Sequence, residues 1–233
     1  MKPEPWSHSR VTTHENCAFQ YHETVVTKRI VEEKSDNQDW GSWVHKQFEY
    51  ALTRPGFELP VDLKIHSPML DRLTSEGEAE GCFLVAEQKV ALSNKPFGPC
   101  EYFDKVKPVW WRGVIDTQAV NRTECRARIV DFKTGKKKED WCQLAENAVW
   151  MFTNYPWLNL INAQFYWTQD QSFSKRVWGR SEMDTLINMF APKVAAYANS
   201  YKTDTWPKKQ SGLCKGWCPV KDCVFWEPKK AKF

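Results

Sequence analysis

The sequence predicts an α/β fold in which helices flank a mixed central sheet. Three observations carry this reading. Helical and strand-like segments alternate in the order helix, strands, helix, strands, helix. The strand-like runs occur in pairs separated by short polar turns, as hairpins require. Two of the helical segments carry a single apolar stripe, which is stable only when buried against a partner layer.

The elements follow in order. Ser7 to Val26 has no Gly or Pro and reads as a helix opening at Ser7 or Ser9. Asp39 to Leu52 is a stronger helix, because Trp40, Trp43, Val44, Phe48, Ala51 and Leu52 recur at helical spacing behind Asp39 as N-cap. Arg54-Pro55-Gly56 stops it. Pro68 to Gly81 is polar and compatible with a helix, Phe83 to Leu92 reads as a strand, and the segment 94–99 (Asn-Lys-Pro-Phe-Gly-Pro) as a turn. Two strands follow, Val109 to Val120 and Arg126 to Phe132, joined by a loop that suits a hairpin. Glu139 to Phe152 reads as a helix ended by Asn154-Tyr155-Pro156, and Leu158 to Trp167 with Phe173 to Trp178 as a second hairpin. Ser181 to Tyr201 is a long helix with Ser181 and Asp184 in capping-box spacing.

Composition narrows the class. Hydrophobic residues make up 42% and charged residues 27%, ordinary globular usage, so the 233 residues can build their own core. No apolar run reaches the roughly 18 residues of a membrane span, and Met1 to Ser7 lacks an apolar leader, so the expectation is an intracellular, cytoplasmic protein without membrane contact. Eight cysteines are too few for a disulfide scaffold and read as core, metal-binding or reactive thiols. The net charge is +4, yet residues 126–138 carry +5 and residues 202–233 another +5, leaving −6 elsewhere. Clustered cations suit a phosphate backbone or a solvated patch. Trp206, Trp217 and Trp226 lie among the tail lysines, an interleaving that fits base stacking or simple core packing.

Chemistry concentrates between residues 111 and 143. Asp131 and Lys133 are two apart on one strand and share a face with Ala127 and Ile129, so two charges extend an apolar row. Burying them is costly unless they are paired or bind a metal. If the two strands pair, Asp116 arrives beside Asp131, and converging carboxylates suit Mg²⁺ or Mn²⁺. A lysine beside that metal can stabilise charge on a phosphate or orient an attacking water. A salt-bridged strand end is the plain alternative. Glu49, one turn after His45, and Glu87, an acid among Val85, Ala86 and Val90, read as structural. Three thiols, Cys214, Cys218 and Cys223, crowd ten residues of the tail at a spacing that resembles metal ligation.

Residues 113–116 (Gly-Val-Ile-Asp) and 131–133 (Asp-Phe-Lys) resemble the PD-(D/E)XK nuclease superfamily, in its RecB-like exonuclease branch of phage and CRISPR-associated enzymes. The resemblance implies a restriction-endonuclease-like core spanning the chain as one nuclease domain, with Asp116, Asp131 and the Phe132 carbonyl as metal ligands and Lys133 as the catalytic lysine. It also implies an upstream helical histidine, for which His45 in Gly41-Ser42-Trp43-Val44-His45 has the setting, and a helical glutamine, matched by Gln143. The family's tyrosine position holds Asn147 instead, which puts one DNA contact in doubt. Relatives in this branch join one N-terminal and three C-terminal cysteines in a 4Fe–4S cluster, so Cys17 with Cys214, Cys218 and Cys223 is the implied set. The tail spacing departs from the usual pattern, and zinc or reduced thiols stay open at this point. The implied activity is a Mg²⁺- or Mn²⁺-dependent DNA exonuclease acting on single strands or duplex ends, with Lys136, Lys137 and Lys138 on neighbouring phosphates. The rival reading is a non-catalytic nucleic-acid-binding or assembly module on the same fold. Oligomeric state is not legible in the sequence.

Overall fold

A computed structural model describes residues 3–32 and 35–228, so the last five residues of the basic tail, 229–233, lie outside the described residues. By internal contacts the chain forms two compact units. One is the central segment Ser35–Met189; the other joins both chain ends, Met1–Lys34 with Phe190–Phe233.

The central unit is a six-stranded sheet with helices. Its elements are α3 (Asp36–Thr53), α4 (Ser67–Glu78), β1 (Cys82–Asn94), β2 (Phe97–Cys100), β3 (Val109–Asn121), β4 (Arg126–Lys133), α5 (Trp141–Asn154), β5 (Leu160–Trp167) and β6 (Ser172–Gly179), with α1 and α2 preceding them in the chain. The strand order is β2-β1-β3-β4-β5-β6. All neighbours are antiparallel except β4 and β5, which run parallel. A parallel pair needs a crossover, and α5 supplies it. The sheet is therefore mixed, as expected.

Local chemistry explains the departures from expectation. Helix α3 starts three residues before Asp39, because Ser35 and Gln38 cap each other: the Ser35 N–H donates to Gln38 Oε1 at 2.8 Å. Segment 94–99 is a turn only at Lys95-Pro96. Residues 97–100 form the edge strand β2, paired Ala91 to Cys100 through Asn94 to Phe97. An edge position tolerates Pro99, whose missing N–H would break an inner ladder. Leading into the last helix, the Gly179 N–H is capped by Glu182 Oε2 at 2.7 Å, instead of a Ser181–Asp184 pair.

The core of the central unit lies between α3, α4 and the sheet. Phe48 is completely buried, with its ring centroid 4.9 Å from that of Phe132 and 5.3 Å from His66. Val44, Leu52, Leu59, Leu63, Leu70, Leu73, Val130 and Tyr166 complete the cluster. Truncating such a ring to alanine costs about 3–5 kcal/mol. The register of α3 is thereby pinned, which also fixes His45 on the same helix.

In the chain-end unit the expected helix 7–26 is broken. Helix α1 (His8–Asn16) ends at Cys17, whose backbone is extended at φ −164°, and α2 (Ala18–Tyr21) passes into a π-helical turn at His22–Val26. Cys17 Sγ accepts the Gln20 N–H at 3.5 Å, so this side chain starts the second helix instead of continuing the first. The Tyr21 hydroxyl, in a fully buried residue, meets those of Tyr197 at 2.9 Å and Tyr201 at 3.0 Å, both on α6 (Met183–Thr203). Among the described residues no helix is long and apolar enough to cross a membrane.

Candidate functional site

The antiparallel register of β3 and β4 pairs Thr117 with Val130, so the next residues along, Asp116 and Asp131, stand opposite each other. The Phe132 N–H donates to Asp116 Oδ2 at 2.8 Å. Glu87 lies opposite Asp116 on β1, between the paired positions Ala86–Thr117 and Gln88–Ile115. Its φ is +49°, a left-handed backbone that a non-glycine residue rarely adopts within a strand. From α3, the His45 Nε2–H donates to the Phe132 carbonyl at 2.9 Å. That bond leaves Nδ1 facing the acids, 3.4 Å from Asp116 Oδ2 and 3.6 Å from Glu87 Oε1. Ligand atoms of His45, Glu87 and Asp116 all lie within 4.8 Å of one another.

A second group adjoins the first. Gln143, in the first turn of α5, donates from Nε2 to Asp131 Oδ1 at 2.6 Å and accepts at Oε1 from the Lys133 ammonium at 2.7 Å. Lys133 Nζ is also 2.8 Å from Asp131 Oδ2. The Gln143 amide thus orients an acid and a base at once. Asp131 Oδ2 is buried and accepts no hydrogen bond of ordinary geometry, so its contact with Lys133 is an ion pair with lone pairs to spare. Gly113 serves the same region by being small. A Cβ there would sit 2.6 Å from the Trp111 ring, whose Nε1–H donates to Glu146 on α5 at 3.2 Å.

Electrostatics follows from crowding. Burial, then the neighbouring Asp131 and Glu87 carboxylates, raise the Asp116 pKa to about 7 against the opposing pull of His45 and the Phe132 N–H. Burial alone would lower His45, but Glu87, Asp116 and Asp131 outweigh it and push its pKa up to about 9. Such mutual perturbation is what a divalent cation would relieve. The donor set fits one: hard carboxylate oxygens, a single imidazole nitrogen, and the spare lone pairs of Asp131 Oδ2.

Five of the sequence-predicted residues, His45, Asp116, Asp131, Lys133 and Gln143, come together here. The Phe132 carbonyl is present too, already accepting from His45. Lys136, Lys137 and Lys138 are exposed on the loop after β4, outside the hydrogen-bonded group. Glu87 is the residue that sequence reasoning set aside. An acid in the middle of an apolar strand was the available signal. Glu49, weighed equally, pairs instead with Lys46 at 2.6 Å. Asn147, at the tyrosine position, is buried.

In the chain-end unit, Cys17, Cys214, Cys218 and Cys223 line one cavity together with Phe19, Val220 and Trp226. Burial raises the Cys218 pKa, and the other three thiols add to the effect. Among the described residues no three of these sulfurs approach within 4.8 Å, whereas a single zinc with Zn–S bonds of about 2.3 Å would set them about 3.8 Å apart. Cys82, Cys100, Cys125 and Cys142 are half-buried, and the Cys142 thiol donates to the Met189 carbonyl at 3.3 Å.

Comparisons with known proteins bear on the family and the fold. A family model described as the PD-(D/E)XK nuclease superfamily matches residues 5–223. No curated protein matches the sequence. A crystal structure from Eubacterium rectale, described as a "putative exonuclease", superposes at TM-score 0.51 and 14% identity, covering 97% of this chain and 91% of that one. A second crystal structure, of SSO0001, aligns at TM-score 0.42 and 9% identity, covering 96% of this chain and 88% of that one.

Proposed function

The chain belongs to the PD-(D/E)XK nuclease superfamily, and on that premise we propose that it is a divalent-metal-dependent DNA nuclease, acting as an exonuclease of the RecB-like type. The observation that carries this reading is the juxtaposition of His45, Glu87 and Asp116 with the Asp131–Gln143–Lys133 group. A cluster this costly to bury is hard to explain in a protein relieved of catalysis.

Asp116, Glu87 and Asp131, with His45 through Nδ1, would hold Mg²⁺ or Mn²⁺, and the cation would supply Lewis-acid charge against a phosphodiester. The protein's own groups do the rest. Gln143 fixes the Lys133 ammonium, which offers a positive charge and a proton to an oxygen gaining negative charge during hydrolysis. The Phe132 carbonyl holds the proton on His45 Nε2, so the proton that a cation displaces is the one on Nδ1, facing the acids. The second part of the proposal is structural. Cys17, Cys214, Cys218 and Cys223 would bind a 4Fe–4S cluster that joins the two chain ends.

The test uses end-labelled single-stranded and duplex DNA with Mg²⁺, Mn²⁺ or EDTA. Stepwise shortening from one end with either metal and none with EDTA is expected. Internal cuts would correct the exonuclease part, and no metal-dependent cleavage of either substrate would overturn the reading.

A further inference from the structure

We propose that a cleft next to the metal-ligand group is a subsite for one unpaired nucleobase, with Trp40 as its stacking platform and Lys136 set for the adjoining phosphate. This rests on the nuclease reading and deepens it, by naming single-stranded nucleic acid as the form bound there.

The cleft encloses about 640 Å³ in the central unit, a volume in the usual range for small-ligand sites. Its walls include Trp40 and Val44 from α3, Ile65 from the 3-10 turn before α4, Lys136 from the loop after β4, and Gln169 from the β5–β6 turn. Two of these walls adjoin the candidate site along the chain. Val44 precedes His45, and Lys136 is three residues beyond Lys133, so its Cα lies within about 11 Å of that of Lys133 at the fixed Cα spacing. That is the reach of a neighbouring nucleotide.

Trp40 is the informative residue. It belongs to the apolar stripe of α3, yet it is 45% exposed, unlike Val44, Phe48 and Leu52 on the same helix. Trp43 supports the ring, with centroids 4.9 Å apart and planes inclined by 33°. The result is a braced indole left open to a polar cleft. Amphipathic rings with one side packed and the other wet are enriched at binding interfaces. Gln169 is anchored by its Nε2 donating to the Thr134 carbonyl at 3.1 Å, which leaves Oε1 able to accept from a base edge. An aromatic face, a cation and an oriented amide are the three contacts a nucleotide uses. Stacking requires a free π-face, which the interior of a duplex does not offer and every unpaired base does.

The experiment measures binding without turnover. Fluorescein-labelled (dT)10 is titrated with the full-length protein in EDTA, and anisotropy is read for wild type, Trp40→Ala and Trp40→Phe. Trp40→Ala should weaken binding by roughly 5- to 150-fold, the equivalent of losing one base–aromatic stack, and Trp40→Phe should restore most of it. Single abasic substitutions walked along the oligonucleotide should find one position that costs wild type a comparable factor and costs Trp40→Ala nothing further. Unchanged affinity in Trp40→Ala, equal abasic penalties in both proteins, or duplex DNA bound as tightly and with the same Trp40 dependence would each overturn the proposal. Melting curves of the two variants guard against misfolding, and rescue by phenylalanine separates stacking from structure. The nuclease reading stands or falls separately. Cleavage by wild type with no effect of Trp40 on binding defeats the subsite alone; Trp40-dependent binding without metal-dependent cleavage defeats the nuclease reading alone.

Discussion

The acidic site of the central unit and the thiol site of the chain ends both gather metal-ligand side chains, but they are held by different means. In the acidic site, side chains are fixed by other side chains and by strand backbone. Gln143 orients Asp131 and Lys133, and the Phe132 peptide holds Asp116 through its N–H and His45 through its carbonyl. In the thiol site, three cysteines come from a stretch of turns with one 3-10 turn and one isolated β-bridge, Lys215 to Glu227, and the fourth sits where a helix breaks. That stretch is held mainly by its own short-range backbone bonds, such as the Cys218 N–H to the Leu213 carbonyl at 2.8 Å; beyond them stand the Glu227 N–H to the Cys214 carbonyl at 2.8 Å, the Trp226 indole to the Cys218 carbonyl at 3.1 Å and an exposed Arg29–Asp222 pair at 3.0 Å. The first site is built before a ligand arrives. With the proposed cluster in the second site, loss of metal should cost activity in the first and folding in the second.

The largest expected effect tests the preorganised side. Asp131→Ala or Lys133→Ala should lower cleavage by roughly 10²–10³ or more, with the thermal midpoint nearly unchanged. Asp131→Ala also removes a repulsion that acts on Asp116, so the metal-free protein should melt no earlier than wild type. Near-normal turnover in nuclease-free preparations would break the site assignment, and early melting would break the contrast.

Cys218→Ser should do the reverse. Prepared anaerobically, wild type should be brown and contain iron; the variant should lose both and melt lower by on the order of 10 °C, as a loss of a few kcal/mol would produce at this size. Activity should fall only as the fold loosens. Wild type that is colourless and free of iron and zinc, with a variant of equal stability, would return these cysteines to ordinary thiols.

Protonation sharpens the acidic side further. Asp116 is raised, chiefly by burial, to about 7. The folded metal-free protein therefore holds a proton that the unfolded chain releases above the ordinary aspartate range, and this contribution to stability is lost as pH climbs toward 7. His45, pushed up to about 9, contributes stability below its ordinary value that is lost as pH rises through 9. Cation binding must displace both protons. Mn²⁺ affinity should accordingly rise between pH 6 and 9, with proton release visible by calorimetry in two buffers of different ionisation enthalpy. Glu87→Gln should weaken Mn²⁺ binding by about 10–100-fold. A flat pH profile, or a variant that binds as tightly as wild type, would remove Glu87 from the ligand set.

The smallest effect concerns charge outside both sites. Replacing Lys136, Lys137 and Lys138 by alanine should lower the slope of log affinity for single-stranded DNA against log salt by about 2, at roughly 0.7 per phosphate contact. An unchanged slope would leave this run as solvated surface.

Asp116, Asp131 and Lys133 were legible from local periodicity, whereas His45 and Gln143 came from family resemblance. Strand alternation and a short hairpin loop set Asp116 against Asp131, and the two-residue spacing put Asp131 and Lys133 on one face. Glu87 escaped because what distinguishes it is a backbone angle of +49° opposite Asp116, and composition does not record backbone angles. Strand β2 was masked by Pro96, Gly98 and Pro99, residues that mark turns but are tolerated on an edge. The break at Cys17 was hidden for the opposite reason, since nothing from Ser7 to Val26 forbids a continuous helix. The association of Cys17 with thiols some two hundred residues away came from family resemblance, as no periodicity spans such a distance.

The parallel pairing of β4 with β5 bears on the order in which the site matures. Strands β3 and β4 are joined by a four-residue loop, so the two aspartates can meet by hairpin closure on the microsecond scale. Gln143 reaches Asp131 and Lys133 only from α5, and α5 is seated as the connection between two parallel strands, a long-range event that closes later. For an interval during folding the acids are therefore gathered while the lysine is still unmoored. On the proposed function, a chain at that stage would gather its cation ligands before its lysine is fixed, so cleavage would become possible only with the crossover, after most of the sheet is in place.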